Sequence, residues 1–154
     1  MDIAGIKTLM CEIPVFDNIK PADVPVLASR LEFRRFPPNT MVAKEGAPGD
    51  FAFFITSGKI EIRKENLDGK YTVLAHHGRG MSVGEMSLVR GNATVRGASI
   101  VTVEPTEALF LSRQNFELLI EKNPSIAIQI LRNIASTVSQ RLDQLSGRFV
   151  DGRN

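Results

Sequence analysis

The sequence predicts an α+β protein, an antiparallel β-sandwich or barrel held between helical ends, and two patterns carry that expectation. Between Leu31 and Leu111, turn formers recur at Pro37-Pro38-Asn39, Pro48-Gly49-Asp50, Ser57-Gly58, Asp68-Gly69, Gly78-Arg79-Gly80, Arg90-Gly91-Asn92 and Glu104-Pro105. One strand and one turn every ~8–12 residues is the spacing of an antiparallel sandwich or barrel. In residues 1–30 and 112–146 the apolar positions follow helical spacing instead. At 154 residues the chain suits one domain with a full hydrophobic core.

The first thirty residues read as a small helical cap. Ile3, Ile6, Leu9 and Met10 are followed by Ile13, Val15 and Phe16, and then by a short helical segment from Pro21 to Leu31 built on Val24, Leu27 and Ala28. Pro21 and Pro25 stand where a first helical turn tolerates them. From Leu31 to Leu111 the pattern shifts toward alternation: Leu31 with Phe33, Ile60 with Ile62 around Glu61, Val73 with Ala75 around Leu74. Asp68-Gly69 between two such runs is a strong hairpin signal. After that, Ser112 is a candidate N-cap for a helix through Ile120, and Asn123-Pro124 interrupts it before a longer helix to about Leu145. Residues 147–154 read as a frayed tail.

The longer helix carries apolar residues at 126, 130, 134, 138 and 142, with Leu131 and Leu145 beside them. That stripe is wider than one face. It leaves two readings open: a helix docked on its own barrel, or one that also meets a second subunit or covers a ligand.

Composition excludes several classes. Hydrophobic residues make up 43% and charged residues 23%, so neither disorder nor a membrane span is indicated. Met1 to Met10 lacks the apolar core of a secretory signal, and the single cysteine, Cys11, has no intramolecular partner, so a cytoplasmic location is expected. A net charge of +2, with no basic run denser than Arg34-Arg35, gives no nucleic-acid surface. The two histidines, His76 and His77, are adjacent and so face opposite ways in a strand, which disfavours a metal oxygenase. No serine elbow or Cys-His dyad suggests an enzyme.

One stretch looks built to hold a ligand. From Gly84 to Ser99, Gly84 lets backbone approach closely, Glu85 offers a carboxylate to a sugar hydroxyl, and Arg96 is a planar cation able to grip two phosphate oxygens. Gly97 and Ala98 leave their amides unscreened by large side chains. By itself the stretch reads equally as a surface turn followed by a strand-opening arginine.

Two motifs decide between these. Gly49, Asp50, Phe53, Ile55 and Gly58 follow a Gly-Asp-x-x-Phe-x-Ile-x-x-Gly pattern. Gly84, Glu85, Met86, Leu88, Arg96, Ala98 and Ser99 follow a Gly-Glu-hydrophobic-x-Leu segment and an Arg-small-Ala-Ser segment. In both, the chain resembles the cyclic nucleotide-binding domain family, which includes the bacterial catabolite activator protein and the regulatory subunits of cyclic AMP-dependent kinase. The resemblance implies an antiparallel β jelly-roll barrel with short N-terminal helices and a long C-terminal helix. It implies a ligand site at Gly84, Glu85, Met86, Ser87, Arg96, Gly97, Ala98 and Ser99, with no metal and no cofactor. Gly97 stands where relatives that prefer cyclic GMP often carry a hydroxyl, which favours cyclic AMP.

The chain departs from the family at Ser87, usually alanine, at Val83, often aromatic, at Val95, commonly proline, and in a longer loop from Met86 to Val95. Alignment from Asn123-Pro124 puts Arg141-Leu142 where the catabolite activator has a base-contacting Thr-Ser pair, so Arg141, Leu142 and Leu145 are the candidates for base cover. The resemblance implies a regulatory sensor that signals through its C-terminal helix to an effector protein or a second copy. About nine residues follow Leu145, too few for an appended DNA-binding domain. The alternative is a relative of the fold that has lost its ligand and serves as an interaction or dimerisation module.

Overall fold

The computed structural model describes residues 1–91 and 95–150, with side chains through residue 147. The chain opens with α1 (Ile3–Met10), capped by the Asp2 carboxylate, which accepts from the Gly5 amide at 2.9 Å. A 3-10 turn at Pro14–Phe16 leads to α2 (Val24–Ala28), with Pro25 in its first turn. This helix is shorter than the expected Pro21–Leu31 because residues 21–23 form a turn and Ser29 ends it.

Eight strands follow: β1 (Glu32–Phe36), β2 (Met41–Ala43), β3 (Phe51–Ser57), β4 (Lys59–Glu65), β5 (Tyr71–Gly78), β6 (Ser82–Val83), β7 (Ser99–Thr102) and β8 (Thr106–Ser112). They form two antiparallel four-stranded sheets, ordered β1-β8-β3-β6 and β2-β7-β4-β5. This is the double-sheet arrangement of a jelly roll. The β4–β5 hairpin turns at Asp68-Gly69 as expected: Gly69 takes a φ of +82°, and the Asp68 carboxylate accepts from the Lys70 amide.

Three helices complete the chain: α3 (Met86–Val89), α4 (Arg113–Lys122) and α5 (Pro124–Val150). Ser112 caps α4 by accepting from the Asn115 amide at 3.0 Å, and Pro124 starts the next helix. The last helix runs to Val150, past the expected end near Leu145, so residues 147–150 are helical. Residues 92–94 of the long loop and 151–154 of the tail lie outside the described residues.

Two apolar layers explain the order of the chain. Phe53, Ile55 and Phe110 of one sheet meet Ile60 and Ile100 of the other inside the roll. On the back of the first sheet, Ala52, Phe54, Leu109 and Leu111 pack against Phe16, Phe116, Leu119, Ile126 and Ile130 of the helical ends. β3 is therefore covered on both faces, which is why it reads Phe-Ala-Phe-Phe-Ile rather than alternating. β5, at the edge of the second sheet, is exposed along Tyr71 to Leu74.

Asn133 fixes α5 to the N-terminal cap. Its Nδ2 donates to the carbonyls of Val15 and Asp17, both at 2.8 Å. With Ile126, Ile130 and Ile134 buried, the helix lies across the roll and carries Arg141 to the cassette. Among the described residues no helix is long and apolar enough to cross a membrane.

Candidate functional site

β6 is only two residues long because Gly84 turns the chain away from the sheet with a φ of +74°, directly into α3. A side chain at Gly84 would collide with the Arg96 guanidinium and crowd the Phe51 carbonyl. The glycine is thus required twice, by its backbone angle and by the arginine lying against it.

Arg96 itself is held from both sides of its backbone. Its amide donates to the Ala47 carbonyl, and its carbonyl accepts from the Gly46 amide, each at 2.8 Å. The residue is 7% exposed, and its guanidinium lies 4.4 Å from the centre of the Phe51 ring and donates through one terminal nitrogen to the Phe51 carbonyl at 2.6 Å. Its Nε is buried and has no acceptor among the described residues. Burial lowers the pKa of the guanidinium from its ordinary value, and the Asp50 charge opposes that shift. An arginine nevertheless keeps its proton in a protein, so this is a buried cation with unused donor capacity.

Glu85 follows Gly84 and is 9% exposed. Its Oε1 stands 3.5 Å from a guanidinium nitrogen of Arg141, a direct polar link between α5 and the cassette. Ser87 is buried, with a hydroxyl that has no partner among the described residues. Met86 turns the other way. It packs on the helical core and lines an apolar groove with Val89, Leu131, Val138 and Leu142, of about 430 Å³.

The Arg96 end of the cassette is more heavily tied into the scaffold than the sequence suggests. Ser99 Oγ accepts from the Glu45 amide at 2.9 Å, so this hydroxyl serves the β2–β3 loop. The Gly97 carbonyl accepts from Lys64 Nζ at 3.0 Å, Gly97 is exposed, and Ala98 is half-buried. Of the residues expected over the base, Arg141 reaches Glu85 and Leu142 reaches the apolar groove. Leu145 is exposed, with no contact to the cassette among those described.

Two residues of the site were not singled out from the sequence. Arg113, opening α4, donates to the carbonyls of Gly49 and Gly91 at 3.4 and 3.0 Å, while its amide donates to the Asp50 carbonyl. It pins the Gly-Asp turn to the far end of α3. His77 lies opposite Ile60, an interior residue, whereas His76 lies opposite Glu61 and contacts its carboxylate at 3.2 Å. The alternation of β5 was the available signal, used in the sequence only to exclude a metal site. Burial lowers the His77 pKa, the Arg141 charge adds to that, and a hydrogen bond to the Ser82 backbone acts against both. The ring therefore stays neutral to a lower pH than free imidazole. Among the described residues no group of three or more His, Cys, Asp or Glu is placed to hold a metal.

A family model for the cyclic nucleotide-binding domain matches residues 33–123, from β1 to the end of α4. The chain belongs to that family. This cyclic nucleotide-binding domain is 33% identical over 129 residues to a cyclic AMP receptor protein of Thermus thermophilus, a match that covers 84% of the chain and 57% of the relative. Two solved structures agree. A cyclic nucleotide-binding domain from Methylobacillus flagellatus matches with a TM-score of 0.79 at 25% identity, covering 97% of this chain and 83% of that one. The catabolite activator protein of Thermus thermophilus matches with a TM-score of 0.71 at 30% identity, covering 88% and 61%. The domain thus spans about three-fifths of the length of the Thermus relative.

Proposed function

We propose that this domain is a sensor whose ligand is a 3',5'-cyclic purine nucleotide, cyclic AMP in preference to cyclic GMP, and whose output is the position of α5. One observation carries the reading: the nine-tenths-buried Arg96, with an Nε that no acceptor satisfies. A buried cation without a carboxylate partner is costly, and a cyclic phosphodiester supplies one negative charge and two free oxygens in the right place. Gly84, Gly97 and Ala98 allow backbone to close on that phosphate. Glu85 accepts from the ribose 2'-hydroxyl, Ser87 shapes the floor, Met86 anchors the segment to the helical core, and Ser99 holds the arginine segment in place through Glu45. The domain performs no catalysis in this reading and needs no metal.

The nucleotide should raise the melting temperature. At a hundred times its Kd a ligand adds ~2.7 kcal/mol, roughly 5–10 °C for a chain of this size. The shift is expected to be smaller with 2'-deoxy cyclic AMP, and Glu85→Ala should erase that difference. Equal shifts with both sugars in the unsubstituted protein would remove Glu85 from the ribose.

Signalling runs from Glu85 to Arg141 and hence to α5, whose exposed Leu142 and Leu145 and apolar groove offer a face to an effector protein or a second copy. Amide exchange across residues 125–146 is expected to slow when nucleotide binds. A ligand can move the helix by no more than its differential affinity for the two positions, about 1–3 kcal/mol. If nucleotide binds while exchange and sedimentation stay unchanged, α5 is a passive strut. If nucleotide does not bind at all, the interaction-module alternative stands in its place.

A further inference from the structure

We infer that His77 is the residue that reads the nucleobase, its buried Nδ1 accepting a hydrogen bond from the exocyclic 6-amino group of adenine. The inference rests on the ligand class proposed above and adds a specificity-determining position to it.

His77 sits on the interior side of β5, opposite Ile60. The ring is hydrogen-bonded to the Ser82 backbone, and because Nδ1 has no partner among the described residues that bond is assigned to Nε2. The other nitrogen, Nδ1, is buried and has no partner among the described residues. With the proton on Nε2, Nδ1 is a bare lone pair, and an acceptor left unsatisfied in a protein interior lacks the stabilisation that a donor would return. Burial, and after it the Arg141 charge, disfavours protonation of the ring. Arg141 itself is turned to Glu85 and leaves Nδ1 unbonded.

The order of the polar groups matches the order of parts in a nucleotide. Arg96 lies against Gly84, Glu85 follows Gly84, Arg141 reaches Glu85, and His77 lies within range of the Arg141 charge. With phosphate on Arg96 and ribose on Glu85, the base falls toward Arg141 and His77. Adenine presents a 6-amino donor there, whereas guanine and hypoxanthine present a 6-oxo acceptor, which would meet the Nδ1 lone pair head on. A site with a buried acceptor rejects an analogue that cannot donate to it, because the acceptor is then left unpaired.

The test compares three 3',5'-cyclic monophosphates that differ only in the base at position 6: adenosine (amino), purine riboside (hydrogen) and inosine (oxo). Calorimetric Kd values are measured for the unsubstituted protein, His77→Leu and His77→Gln. The unsubstituted protein is expected to bind the amino compound about tenfold more tightly than the hydrogen analogue, and the oxo compound more weakly still. His77→Leu should bring the three to within about threefold of one another, and His77→Gln, which keeps a side-chain acceptor, should retain part of the preference. Equal affinity for the amino and hydrogen compounds in the unsubstituted protein overturns the inference without recourse to any variant. So does an unchanged preference in a folded His77→Leu. Failure of all three nucleotides to bind the unsubstituted protein would instead overturn the ligand assignment itself.

Discussion

Arg96→Ala is expected to weaken cyclic AMP binding by about 2 kcal/mol or more, roughly thirtyfold in Kd, while the protein stays folded. The loss follows from removing the guanidinium that faces Gly84 and Phe51, the cassette's own counter-charge to a phosphate. The fold should survive because the local architecture depends on the backbone of Arg96, paired with Gly46 and Ala47, rather than on its side chain. The substitution also removes an unsatisfied buried Nε and the ring contact with Phe51, two effects of opposite sign on stability. Arg90, exposed just beyond α3, provides the contrast. Arg90→Ala should bind as the unsubstituted protein does. If it abolished binding while Arg96→Ala did nothing, the phosphate would sit at the other end of the loop.

Gly58→Ala should cost about 3 kcal/mol of stability and lower the melting temperature by roughly 6–12 °C. Gly58 joins β3 to β4 with a φ of +98°, and a methyl group there would drive into the Pro105 carbonyl oxygen and the Thr106 backbone. These are backbone atoms at the turn between β7 and β8, so they cannot swing aside as a flexible side chain would. Gly69→Ala isolates the contribution of the angle alone. Its φ is +82°, but nothing lies within 4 Å of the added carbon, so about 1–2 kcal/mol is expected. Thermal unfolding of the two variants side by side checks both. Equal losses would show that the collision with the β7–β8 turn contributes nothing.

The strand region was legible because its turn residues do local work. Glycines 58 and 69 sit at positive φ, and Asp68 bonds the Lys70 amide two residues on. The same holds for α4, where Ser112 caps three residues ahead. The order of strands in the sheets was not legible in periodicity, since β1 pairs with β8 and β2 with β7 across tens of residues, and only the family resemblance implied it. The shortened α2 and the longer α5 show the limits of punctuation. Prolines near α2 mark a turn as readily as a helix start, and residues 146–150 continue a helix whose sequence has no Pro to stop it.

The cassette shows the same division. Gly84 and Arg96 were recognisable as a motif, but their direct contact, and the part played by the Phe51 carbonyl and ring, exist only once β3 lies beside β6. Ser99 matched the motif, yet its hydroxyl serves Glu45, fifty-four positions away. Arg141 was placed by alignment near the base, and the structure sets it on the Glu85 carboxylate. His77 could be assigned a face from strand alternation. That its Nδ1 would be left without a partner depends on Ser82 and Arg141 converging from β6 and α5, which no local pattern encodes.

Calorimetric titration of the unsubstituted protein with cyclic AMP and cyclic GMP tests the central assignment most directly. A saturable isotherm with one site per chain is expected for cyclic AMP, and a weaker one for cyclic GMP. No heat and no thermal shift with either nucleotide at millimolar concentration would contradict it.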